Sequence, residues 1–342
     1  MQLLCKSEED VEVVMKIVQA ELGMSCMPLQ IGAVTPVAQA IIPAASFSSA
    51  LFPASKCLPP ALFPVMDADG LLKPAILILV EEALAAGLHR VVIVVSAAQH
   101  ADFEKIFHKQ APMREYNRVP ERLRQYADSI VEMGRKVHLV VQEEQQGLGH
   151  AVLCARAALE PAPFVLMLGD HLYRSSTGTS CVAQLVSAYA GRSLIALRRT
   201  AEKDISLLGT ACGKWEATRL DAPAASRRLA LSALVEKPST DYARVNLVTL
   251  GLPNGEYLTA FGLYVIHEYQ SLFEVLQEEH KILEQAGPSA SLLQLTPALD
   301  RIRAEAGLAG ILLDGERYDI GHTPADYLAT LNALAKKPSD LA

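Results

Sequence analysis

The sequence predicts an α/β protein built on a Rossmann-like, mixed but mainly parallel sheet flanked by helices. From residue 37 onward, short uninterrupted apolar runs alternate with segments of helical periodicity, the pattern of strands buried on both faces and joined by helical crossovers. The 342 residues are 51% hydrophobic, enough for one large core.

The first element stands apart. Ser7 and Asp10 have capping-box spacing, and Val11, Val14, Met15, Val18 and Leu22 follow at helical intervals. Residues 1–36 therefore read as a short N-terminal helical extension with a linker around Gly32 and Pro36. The body is expected over 37–335, as a half spanning 37–175 and a half spanning 176–335. In the first half AQAIIPAA, HRVVIVVS, KVHLVVQ and PFVLMLGD read as strands. ILILVEEALAAG, a long polar stretch to about Met133, and GLGHAVLCARAALE read as the intervening helices. The second half is richer in β pattern, with SLIALRRT, LALSALVEKP and YLTAFGLYVIHEY, then helices over about 271–285 and from Ser291, ILLDGERYDIGHT and a closing helix.

Composition removes several function classes. A net charge of −7 without a basic cluster argues against a nucleic-acid surface, so a polyanionic ligand needs local help such as a divalent metal. Six scattered cysteines without C-x-x-C spacing point to a reducing compartment, the cytoplasm or a plastid stroma. No apolar run is long enough to span a bilayer and no secretory layout opens the chain, so no membrane partner is expected. A nicotinamide-dependent oxidoreductase is excluded because no G-x-G-x-x-G follows the first strand.

Chemistry is sought at the carboxyl ends of the strands, where open α/β sheets bind ligands. Gln142 ends one apolar run, and Gly147 and Gly149 open a helix whose free N–H groups suit a base or ribose. Asp170 ends LMLGD, where a carboxylate can hold Mg²⁺ or simply cap a turn. Glu236 and Lys237 of LVEKP offer a carboxylate for sugar hydroxyls and an ammonium for phosphate, or an ordinary exposed pair. Asp319 of YDIG is a second possible metal ligand.

Taken in this order, IIPAA, LFPASK, LFPVMD, VQ with GLGHAVLCA, LGD, VEKP, GLYV, QLT and YDIG resemble the sugar-phosphate nucleotidylyltransferases, especially the bacterial-type UTP-glucose-1-phosphate uridylyltransferases. The resemblance covers about residues 38–335. It implies a nucleotide-diphospho-sugar transferase fold and a Mg²⁺-dependent reaction of UTP with glucose 1-phosphate giving UDP-glucose and pyrophosphate. It places Ala44, Ala45, Ser46, Gln142, Gly147 and Gly149 at the nucleotide, and Gly209, Glu236 and Gly262 at the sugar. Lys237 falls at the sugar phosphate, and Asp170 and Asp319 at the metal. The family's first loop is Gly-rich and ends in an arginine, with a lysine ten residues on; here those positions are Ala50 and Pro60. Lys56 and Lys73 are the candidate substitutes. A non-catalytic sugar-nucleotide-binding protein is the alternative reading. The extension, together with the Asp-Ala-Asp-Gly insertion, is also similar to plastid-type UDP-glucose pyrophosphorylases, and the chain is expected to form a homo-oligomer or part of a longer polypeptide.

Overall fold

The computed structural model describes residues 34–216, 228–287 and 291–335. The described residues from Thr35 onward belong to one compact unit, and the helix expected over the N-terminal extension lies outside the described residues. The described residues contain thirteen strands: β1 (Gln39–Pro43), β2 (Pro64–Met66), β3 (Leu72–Pro74), β4 (Arg90–Ser96), β5 (Val137–Gln142), β6 (Phe164–Met167), β7 (His171–Ser175), β8 (Leu194–Ala201), β9 (Thr210–Trp215), β10 (Arg228–Val235), β11 (Glu256–Ile266), β12 (Ala309–Leu312) and β13 (Gly315–Asp319).

Nine of these form one sheet in the order β5-β4-β1-β6-β11-β8-β12-β10-β9. Pairing is parallel from β5 through β6, and β8 and β12 are also parallel, whereas β11 runs against both β6 and β8 and β10 runs against both its neighbours. The first half thus has the expected parallel character, and the second half extends it as a mixed sheet. The continuous apolar runs are explained by burial on two sides. Val91, Ile93 and Val95 of β4 join Ala40 and Ile42 in one core, while Val92 and Val94 join Ile41 in the other.

Helix α1 (Ala75–Ala85) follows Lys73-Pro74 and packs its Ile76, Leu79 and Val80 into the first core. The polar stretch expected as one long helix is instead broken into α2 (His100–Phe107), a single turn, and α3 (Glu121–Gly134). Pro112 and Pro120 immediately precede the later segments, because each ring removes an N–H that a continuous helix would require. Beyond it, α4 (Leu148–Cys154), α5 (Cys181–Ala188), α6 (Thr240–Asn246), α7 (Tyr269–Ala286), α8 (Leu295–Ala306) and α9 (Pro324–Leu334) complete the layers. No helix among the described residues is long and apolar enough to cross a membrane.

One buried carboxyl ties α1 to α5. Glu82 accepts a hydrogen bond from the Val182 N–H at 3.2 Å, at the N-terminus of α5. Burial nevertheless pushes its pKa up to about 7. The native state therefore holds this proton more tightly than the unfolded chain, and stability should fall as pH rises from the ordinary carboxylate value through about 7. Glu82→Gln keeps the acceptor oxygen and removes the charge. It is expected to flatten the profile and to raise stability at about pH 8 by about 1–3 kcal/mol. Urea midpoints at acidic and alkaline pH check this, and an unchanged slope would refute it.

Candidate functional site

The ends of β1, β5 and β6 enclose a cavity of about 320 Å³ lined by Ala45, Ser46 and Phe47 of the first loop, Gln142, Gln145 and Gly147 beyond β5, and Asp170 and His171 beyond β6. The strand ends are held close together. Gly169 donates to the Pro43 carbonyl at 3.1 Å, and a Cβ at Gly169 would sit 2.4 Å from that oxygen, so only glycine fits. The Ala44 N–H donates to Val94 O at 2.7 Å, making Ala44 a buried support of the loop rather than part of the cavity wall.

Gly147 has φ +105, and a Cβ there would approach the Leu293 carbonyl to 2.5 Å. Gly149 is pinned to the same segment by its N–H bond to Leu293 O at 2.9 Å. The glycines thus let α4 start against residues 292–294, which leaves Gly147 on the cavity wall and Gly149 behind it. Buried Gln142 turns its Nε2 toward Gly147 O (3.3 Å) and His150 Nδ1 (3.0 Å). Gln145 reaches across the cavity mouth to donate to Ala45 O at 2.5 Å, linking the first loop to the β5–α4 connection.

The two candidate metal carboxylates flank one imidazole. Asp319 pairs in register with His171 across the β7–β13 ribbon. His171 Nδ1 lies 3.0 Å from Asp170 Oδ1, and its Nε2 lies 3.4 Å from Asp319 Oδ2. The Nδ1 contact is an electrostatic approach rather than an aligned hydrogen bond. Burial disfavours the imidazolium, but the two carboxylates outweigh it and raise the His171 pKa. Burial likewise works against ionised Asp319, yet His171 and the Gly321 N–H, 3.0 Å from Oδ1, hold its pKa at about 2. Gly321 also leaves a cradle for Asp170, since a Cβ there would meet Asp170 Oδ2 at 3.0 Å.

Among the residues that the resemblance places at the sugar, a Cβ on Gly209 would lie 3.4 Å from Glu236 Oε2, and that same oxygen accepts from Thr296 Oγ1 at 2.6 Å. Lys237 adopts φ 45, the left-handed region, and its N–H donates to Leu208 O at 3.2 Å. This geometry leaves its ammonium mostly exposed, 3.9 Å from Glu236 Oε1. Gly262, with φ +90, backs onto His171, and its carbonyl accepts from Tyr173 Oη at 2.8 Å.

Lys73 requires a correction. Its ammonium is not available to swing toward a phosphate, because it is 4% exposed and lies 2.6 Å from Asp67, 2.6 Å from Asp69 and 2.7 Å from Glu81. The Asp-Ala-Asp-Gly insertion is the turn of the β2–β3 hairpin, folded so that its carboxylates enclose this lysine. Lys56 is exposed on a four-residue helix, Ala54–Cys57, and does not line the cavity. Ala50 is exposed on the turn after Phe47, whereas Pro60 is buried in the turn that precedes β2.

A profile for nucleotidyl transferases matches residues 39–292. The chain belongs to the nucleotidyl transferase family. It is 28% identical over 310 residues to a UTP-glucose-1-phosphate uridylyltransferase of Staphylococcus haemolyticus, covering 88% of this chain and 94% of that protein. Over 292 residues it is also 28% identical to a UTP-glucose-1-phosphate uridylyltransferase 1 of Staphylococcus saprophyticus, covering 83% and 88%. A UDP-glucose pyrophosphorylase solved in complex with UDP-glucose superposes with a TM-score of 0.68 at 26% identity, over 88% of this chain and 100% of that one. A UTP-bound enzyme of Acinetobacter baumannii gives 0.66 at 22%, over 89% and 95%, a likeness of fold alone.

Phe47, Gln145 and His171 escaped the sequence reading. Gln145 stands three residues past Gln142 in a polar run that offers no periodicity, and Phe47 is a lone aromatic in a small-residue loop. His171 follows Asp170 directly, but its contact with Asp319 depends on a ribbon pairing between distant segments.

Proposed function

We propose that the chain is a uridylyltransferase that joins UTP and glucose 1-phosphate into UDP-glucose and releases pyrophosphate. The observation that carries the reading is a single cavity uniting Ala45, Ser46, Gln142, Gly147 and Asp170, five residues from three separate segments of the chain that the resemblance assigns to nucleotide and metal. The identity to the staphylococcal uridylyltransferases supports it.

In this reading a phosphate oxygen of glucose 1-phosphate forms a bond to the α-phosphorus of UTP as the bond to the β-phosphate oxygen breaks. Catalysis consists of positioning and charge stabilisation. Gln142 and Gly147 hold the base, Glu236 binds glucose hydroxyls with its orientation fixed by Thr296, and Lys237 reaches the sugar phosphate. Among the described residues no group of three or more His, Cys, Asp or Glu is placed to hold a metal ion on its own. Asp170 and Asp319 are hard oxygen donors, and Gly321 leaves room for the former. This set fits Mg²⁺, which commonly takes one or two carboxylates and completes its shell with substrate phosphates and water. When bound, the ion would neutralise phosphate charge between substrate and these carboxylates.

Thermal-shift titration tests the proposal. UDP-glucose at about 100 times its dissociation constant should stabilise the fold by about 2.7 kcal/mol, more with Mg²⁺ than without. Asp170→Asn and Asp319→Asn should abolish the increment due to Mg²⁺. No shift with UDP-glucose would overturn the assignment, and an unaltered Mg²⁺ increment in both variants would overturn the metal site.

A further inference from the structure

Past the carboxylate pair, a second cavity of about 380 Å³ is lined by Arg198 and Arg317 and by the carboxylates Asp204, Asp319 and Asp326, the last engaged by His322 and Thr323, with Leu207, Leu208 and Thr330 of α9 as its walls. The arginines come from separate strands, β8 and β13, and both also line the depression next to it. Their Nε atoms are buried without a hydrogen-bond partner among the described residues. Arg317 donates once, from Nη1 to Ala260 O at 3.3 Å. Neither guanidinium forms an ion pair among the described residues, although Asp204 and Asp319 attract Arg198 from a distance.

Two neighbouring cations with buried, unsatisfied donors carry a cost in the ligand-free protein. Burial and the proximity of Arg317 push the Arg198 pKa down to about 10. A doubly charged oxyanion relieves both penalties, since it neutralises the pair and accepts from planar guanidinium forks. We propose that Arg198 and Arg317 bind the phosphoryl dianion of a phosphate ester. The Leu207–Leu208 wall runs directly into Gly209, and Leu208 O is bonded to Lys237 N–H. The expected source is therefore the phosphate of the sugar substrate, an identification that rests on the proposed function; free pyrophosphate is the other source of the same chemistry.

The experiment is calorimetric titration of the full native chain with glucose 1-phosphate, pyrophosphate and, as an uncharged probe of the first cavity, uridine. Arg198→Met should weaken glucose 1-phosphate by at least about tenfold, leave uridine unchanged and raise the ligand-free Tm by removing one of two repelling charges. Arg198→Lys should retain part of the affinity. Stronger loss for pyrophosphate than for glucose 1-phosphate would keep the anion site and overturn the sugar-phosphate source. Equal affinity of Arg198→Met and native chain for both anions would overturn the site, as would a lowered ligand-free Tm with parallel weakening of uridine, the mark of a merely structural arginine. Loss of uridine binding in the native chain with anion binding intact would refute the proposed function and leave the arginine site standing.

Discussion

Lys73→Met is expected to destabilise the fold by about 3–5 kcal/mol, the range for removing one partner of a buried ion pair. Three carboxylates, Asp67, Asp69 and Glu81, converge on this ammonium, and the Tyr126 ring lies 5.1 Å from it while its hydroxyl donates to Glu81 Oε1 at 2.7 Å. Methionine preserves the stem and leaves those charges facing one another. Burial alone would lower the lysine pKa, but the carboxylates outweigh it and raise it. The contribution is thus complete below the ordinary lysine value and fades only as pH climbs beyond it. Urea denaturation at neutral pH measures the loss. Glucose 1-phosphate affinity of the folded fraction should be unchanged. A variant of native stability with weakened anion binding would return Lys73 to the phosphate site.

This cage shows why some of the protein was legible in sequence and some was not. The β1, β4 and β6 runs announced themselves because burial on both faces demands uninterrupted apolar residues, a local property. The breaks at Pro112 and Pro120 were also local, and the backbone chemistry of proline overrode the helical periodicity around them. Lys73 was different: its aspartates lie within six residues, but Glu81 arrives from α1 and Tyr126 from α3. Its commitment depends on packing between elements. The His171 contacts and the Arg198–Arg317 pair have the same origin, since β13 reaches His171 through β7, and β8 is placed by β11 and β12. Motif residues such as Asp170 and Glu236 could be assigned a chemistry from type and position. Their holders, Gly321 and Thr296, are identified by three-dimensional proximity.

The uncharged first loop leads to the second large effect. With Ala50 where the family carries arginine, the native chain should release pyrophosphate from UTP and glucose 1-phosphate slowly, because no fixed cation on this loop stabilises the departing charge. Arg198 and Arg317 lie in the cavity shared with Asp319, not in the one lined by Ser46 and Phe47. They therefore serve the attacking phosphate and leave the departing one uncompensated. Ala50 is exposed, three residues beyond Phe47, so an arginine fits there without disturbing the core. Pro60 is buried, and Pro60→Lys would place an ammonium among apolar residues, so the second family cation is not restored by simple replacement. Ala50→Arg alone should raise kcat by about 10²-fold, the scale of one preorganised charge donor, with the KM for glucose 1-phosphate nearly constant because the gain arises in the transition state. Coupled pyrophosphate detection with Mg²⁺ measures both enzymes. A fast native rate unaffected by Ala50→Arg would show that another residue already supplies the charge. UDP-glucose binding without pyrophosphate release from either enzyme would overturn the uridylyltransferase reading in favour of a sugar-nucleotide-binding protein that retains the family's base, sugar and carboxylate groups.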